Sequence, residues 1–119
     1  MAVKNSVLES VREAMGLSSE DDSFDMELLL HINSALAIAN QNAAVLPVTI
    51  EDSTQTWDEL KDPEKEMTQY LFHSVKLFVF LKTKLLFDPP APSTASYMEK
   101  ASEELLWRLR EGFDLPIKD

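Results

Sequence analysis

Apolar residues recur with the 3.6-residue period of a helix in four stretches of this chain, and turn or breaker residues separate the stretches. In the first, Val7, Val11 and Met15, with Leu8 beside them, predict a helix over residues 6–15. Gly16 then falls at the position just past the helix end, where a left-handed backbone costs glycine little. A polar turn, Ser18 to Asp22, follows. In the second stretch, Leu28, Leu29, Ile32, Ala35, Leu36 and Ala39 form one stripe and predict a helix over 24–42. Asp22 or Ser23 is placed to cap it, and Asp25 and Glu27 put negative charge where the helix dipole favours it. Its alanines allow a neighbouring helix to approach closely.

The pattern breaks between residues 43 and 61. Pro47 and the β-branched Val45, Val48, Thr49 and Ile50 argue against a continued helix. A short strand at 45–50 would need a partner, and the chain supplies no convincing one. The segment either pairs with another copy or lies across the bundle, and the missing partner favours the second. Trp57, late in this connection, is expected to pack inward and fix it.

Asp62 as a cap, Pro63 as first helical residue, and Glu64 and Glu66 in the first turn open a third helix that extends to residue 87. Met67, Leu71, Ser74, Phe78, Leu81 and Leu85 form one stripe, and Phe72, Val75, Val79 and Leu86 a second. A helix apolar on two faces is either central in its own bundle or shared with a neighbouring chain. Asp88-Pro89-Pro90 ends it, since Pro89 disfavours helix at Asp88 and neither proline donates a hydrogen bond. Ser93 or Thr94 is expected to cap the fourth helix, which runs to Arg110 or Glu111 with Met98, Ala101, Leu105 and Leu109 inward and Gly112 just past its end. The chain therefore reads as all-α: one bundle of about four helices in a domain over 1–112, a long irregular connection between helices 2 and 3, and a flexible tail over 113–119.

Composition narrows what this bundle does. The chain has 119 residues, 45% of them apolar, enough for one domain with a real core. It lacks cysteine and has two glycines, which excludes thiolate chemistry, Cys-based zinc sites and glycine-rich phosphate loops. Residues 70–87 are the most apolar stretch, but Lys76, Lys82 and Lys84 interrupt it, so a buried helix is expected and not a membrane span. Residues 1–10 show neither the basic nor the apolar region of a signal peptide.

The charge is lopsided. Residues 1–60 carry eleven acidic and two basic side chains, and residues 61–119 carry ten and nine, within a net charge of −10. Such a chain does not grip a phosphate backbone unaided. Either the acidic front is a solubilising surface, or one side repels something negative while the other joins a partner. Candidate chemistry is sparse. His31 and His73 fall on different helices without metal-ligand spacing, and Glu20, Asp21, Asp22 and Asp25 lack the glycine and spacing of a calcium loop. There is no nucleophile elbow. No catalytic residue, cofactor or metal is expected, and the chain does not read as an enzyme. Trp107 lies almost opposite Leu105 on the fourth helix, among Glu103, Arg110 and Glu111. It is either an anchor for a protein partner or a side chain covered by the connection or the tail.

The run Lys84-Leu85-Leu86-Phe87-Asp88-Pro89-Pro90, followed by Glu103-Glu104-Leu105-Leu106-Trp107-Arg108-Leu109, resembles the head–tail connector (adaptor, neck) proteins of tailed bacteriophages. The order of a short helix, a longer alanine-bearing helix and a Trp57-bearing connection is similar too. The resemblance implies a virion structural protein at the head–tail junction, made in the host cytoplasm. It implies a ring of neighbouring copies, commonly twelve-fold, under the portal protein, extending the DNA channel and supporting the next neck or tail-completion protein. DNA passes through such a ring without specific binding, and no membrane is involved. On this resemblance Trp107, Arg108, Arg110 and Phe113 face a partner, and Phe87, Asp88, Pro89 and Pro90 set the corner between helices 3 and 4. The reading weighed against it is a small acidic helical protein that mimics DNA and inhibits a nucleic-acid-binding partner.

Overall fold

A computed structural model of the chain describes residues 4–42, 48–61 and 69–114. Four helices, α1 (Val7–Ala14), α2 (Asp25–Asn42), α3 (Gln69–Phe87) and α4 (Pro92–Asp114), follow in chain order, with a short 3₁₀ helix at Trp57–Leu60 in the long connection. The architecture is the expected all-α bundle, and no strand occurs among the described residues.

The helix ends follow local chemistry. Ser6 caps α1, its hydroxyl accepting from the Glu9 N–H at 3.2 Å. At the other end Gly16 takes a φ of 84°. Its N–H donates to the Glu13 carbonyl at 3.0 Å, and Leu17 N–H to the Arg12 carbonyl at 2.9 Å, the paired bonds of a Schellman ending. The capping of α2 differs from expectation. Phe24 holds the position before the helix, its carbonyl accepting from Leu28 N–H, while the Ser23 N–H donates to the Asp21 carboxylate within the preceding turn. The α4 helix starts earlier than Ser93: Pro92 is its first residue, and the Ala91 carbonyl accepts the first helical bond from Ala95 N–H at 2.8 Å. Proline suits that place because its missing N–H would have had no helical acceptor. The same helix continues through Gly112 to Asp114, since an interior glycine costs only about 1 kcal/mol. Of the strand weighed at 45–50, residues 48–50 take no strand, and the rest of it, the Asp62 and Pro63 start of the third helix and the tail beyond 114 lie outside the described residues.

The α3 helix is central in its own bundle, one of the roles open to a helix apolar on two faces: it packs against α1, α2 and α4. Phe72, Val75, Phe78 and Val79 are buried against Leu28, Ile32, Ala35, Leu36 and Ala39 of α2, Val7, Leu8 and Val11 of α1, and Leu109 of α4, in one core. The connection lies across the bundle. Asn33 of α2 holds it as a neighbouring strand would, its side-chain oxygen accepting from Ile50 N–H at 2.8 Å and its amide donating to the Ile50 carbonyl at 3.0 Å. Further along, Val7 N–H donates to the Gln55 carbonyl and Trp57 N–H to that of Asn5, a single antiparallel bridge. Trp57 is buried, as expected. It donates to the Ser10 hydroxyl at 2.9 Å and meets the rings of Phe72 and Phe80 edge-on.

The periodic pattern did not reveal one polar tie. Arg12 is buried, and its guanidinium forks onto Asp25, Nε to Oδ1 at 2.9 Å and Nη2 to Oδ2 at 2.5 Å, while Nη1 donates to the Ser19 carbonyl. One side chain thus fixes α1, the polar turn and the start of α2. Asp25 holds the Arg12 guanidinium above its already high ordinary pKa, so the group stays charged throughout.

Candidate functional site

The corner residues sit between the two longest helices. Phe87 closes α3, and Asp88, Pro89, Pro90 and Ala91 lead to α4. Asp88 N–H donates to the Lys84 carbonyl at 3.0 Å, and its carboxylate takes the Lys84 ammonium at 2.6 Å. The Phe87 ring meets Phe24 edge-on, 5.4 Å between centroids, which ties the corner to the turn before α2. A proline pair flanked by an ion pair and a ring contact leaves α4 few directions in which to leave.

The α4 helix turns Met98, Ser102, Leu105 and Leu109 toward the bundle and a charged face outward. On that outer face Trp107 is 56% exposed, so the described part of the connection does not cover it, and the tail, the other cover open to it, lies outside the described residues beyond 114. Arg108 pairs with Glu104 one turn earlier, and Arg110 is exposed three residues after Trp107. The Phe113 side chain lies outside the described residues. So Trp107, Arg108 and Arg110 share the solvent side of the last turns of α4. Sequence reasoning missed Tyr97, which is 80% exposed near the start of the same helix. Its place next to Met98 but off the inward stripe was the signal available.

A cleft of about 270 Å³ opens between α2, α3 and α4, lined by polar side chains including His31, Ser34, Lys82, Glu99 and Glu103 over Leu85 and Leu86. His31 Nε2 is buried there without a hydrogen bond, 3.7 Å from a Glu27 oxygen. That distance is too long for a hydrogen bond between them. His73 is exposed on α3. Among the described residues no group of three or more His, Asp or Glu side chains is arranged to hold a metal ion, and no helix is long and apolar enough to cross a membrane.

The acidic front is mostly at the surface. Eight of the eleven carboxylates before residue 61 are exposed, among them Glu13, Glu20, Asp22, Glu27, Glu51 and Asp58. Glu9 and Asp25 are the exceptions that matter: one is buried and the other serves Arg12, so they belong to the scaffold. Two carboxyls of this half are held below the ordinary range. Asp21 is lowered by the hydroxyl and N–H of Ser23, and Asp52 by those of Thr54.

Comparisons with curated proteins and with solved structures give no match. The phage connector protein family matches over residues 7–114, from the first residue of α1 to the last of α4, and the chain belongs to that family.

Proposed function

We propose that this connector subunit forms a ring beneath the portal, extends the DNA channel and carries the next neck or tail-completion protein. Family membership gives the general role, a virion component at the head–tail connection. The exposure of Trp107 beside Arg108 and Arg110 carries the finer reading. A half-exposed tryptophan costs solubility in a free protein and is the residue type that most often anchors protein interfaces. In this reading Trp107, Arg108 and Arg110, with Phe113, meet the portal or a neighbouring subunit, and the corner at 87–90 fixes the angle at which α4 presents them. The exposed carboxylates of the front half repel phosphate and keep a DNA path free of binding.

Electron microscopy of the chain mixed with purified portal tests this. The expected result is a ring seated on the portal, weakened by Trp107→Ala without loss of melting temperature. No density on the portal, and no binding to any neck component, would refute it. A large drop in melting temperature with assembly intact would make Trp107 a structural residue instead.

A further inference from the structure

The α3 helix is chemically unlike the rest of the surface. Its span holds His73, Lys76, Lys82 and Lys84 and no Asp or Glu, in a chain of net charge −10. Its buried residues, Phe72, Ser74, Val75, Phe78, Val79 and Thr83, face the other helices. On the opposite flank His73, Leu77, Phe80, Leu81 and Lys84 follow at i, i+4, i+7, i+8 and i+11, so they share one face. His73 and Leu77 are exposed, and the other three are half-buried. Leu77, Phe80 and Leu81 make an apolar centre, with Lys76 and Lys84 toward its two ends. The strip is stiff: Trp57 holds the Phe80 ring edge-on at 5.9 Å, the Lys76 ammonium lies 5.2 Å over the Phe72 ring, and Lys84 is tied to Asp88.

An apolar strip bounded by lysines fits a negatively charged surface with apolar gaps, and the front half offers one where exposed Asp22 and Glu27 stand beside exposed Met26 and Leu30. We propose that the α3 strip is the face by which one subunit docks onto the carboxylate-bearing front half of a second copy. The two surfaces differ, so the contact is head-to-tail, the kind that closes into a ring when the rotation permits. This rests on the ring reading above and names the surfaces that meet in it. Part of the acidic front then joins a neighbour, and the remainder is left to face the channel.

The test uses the full chain as equal parts of unlabelled and ¹⁵N-labelled protein, alone and with portal, joined by a zero-length carbodiimide and read by mass spectrometry. Mixed-isotope links from Lys76 or Lys84 to a Glu or Asp between residues 9 and 59 are expected. Leu77→Asp should weaken self-association by about tenfold or more, as loss of an interface anchor does. The change His73→Glu, at the exposed end of the strip, should act in the same direction, and added salt should weaken assembly of the parent. Circular dichroism confirms that each variant is folded. Inter-copy links that avoid both lysines, a Leu77→Asp chain that assembles like its parent, or a chain that never self-associates, even on portal, would overturn the assignment. Loss of portal binding with self-association intact would overturn it too, and would give the strip to the portal. Portal binding by the parent chain, measured in parallel, separates the two levels: if it persists the connector reading stands though the strip assignment fails, and if it is absent the connector reading itself fails.

Discussion

Replacing Arg12 by alanine removes a side chain that joins α1, the following turn and the start of α2. Its guanidinium side chain is 8% exposed and makes a two-pronged contact with Asp25, whose side chain is 25% exposed. Breaking a fully buried pair costs about 3–5 kcal/mol, because the abandoned charge stays out of water. A surface pair is worth about 0.2–1 kcal/mol. Asp25 keeps some access to solvent, and the Ser19 carbonyl sits in a surface turn, so the cost should lie between the two, about 2–3 kcal/mol. At about 4 °C per kcal/mol for a domain of this size, the melting temperature should fall by about 8–12 °C. Arg12→Lys keeps the charge but not the planar fork, and should recover less than half of the loss. A double-mutant cycle with Asp25→Ala, read by urea denaturation, isolates the pair from the packing of the arginine stem. A loss under about 1 kcal/mol in Arg12→Ala, or strict additivity in the cycle, would show that the contact is ornamental and that helix packing alone sets the angle between α1 and α2.

Trp57→Ala should cost about 3–5 kcal/mol in denaturant unfolding, since it empties a site where two helices and the connection meet; Trp57→Phe, losing chiefly the bond to Ser10, should cost much less. Asn33→Leu strands the N–H and carbonyl of buried Ile50 and should cost about 1–3 kcal/mol, with hydrogen exchange rising at Ile50 before it rises in the helices. The Asp52 carboxyl, stabilised as the anion by Thr54, should titrate below the ordinary value of about 3.9 in carbon-detected NMR, and Thr54→Val should move it upward. Because its folded pKa is the lower one, its contribution to stability is present above the ordinary value and is lost as pH falls through the folded pKa. An unchanged Asp52 titration in Thr54→Val would remove the hydroxyl as the cause.

Much of this protein was legible in one dimension. The stripes at Val7, Val11 and Met15 and at Leu28, Ile32, Ala35 and Ala39 named their helices, because a helix that buries one face must repeat its apolar residues every three or four positions. Gly16 and Asp88-Pro89-Pro90 marked their stops, because glycine's left-handed freedom and proline's missing N–H act on the residue itself and its neighbours. The resemblance of the Phe87–Pro90 corner and the Trp107 helix to phage connectors was legible for the same reason: both are short contiguous runs. The early start of α4 at Pro92 was also in the sequence, since proline favours the first helical position, but the hydroxyls at Ser93 and Thr94 offered a competing cap one residue on.

Contacts between distant residues were not legible. Arg12 meets Asp25, Asn33 meets Ile50 and Trp57 meets Ser10 across 13, 17 and 47 residues, and polar residues at those positions carry no periodic signature of their partners. Exposure was equally hidden. Trp107 had two environments open to it, and only the packed bundle left it 56% open. The sequence alone determined the helices, several of their ends and the lopsided charge, because each follows from local backbone preference or from simple counting. The tertiary structure decided which carboxylates serve the scaffold and which meet solvent, and which flank of α3 stays uncovered, because burial depends on how the helices pack together.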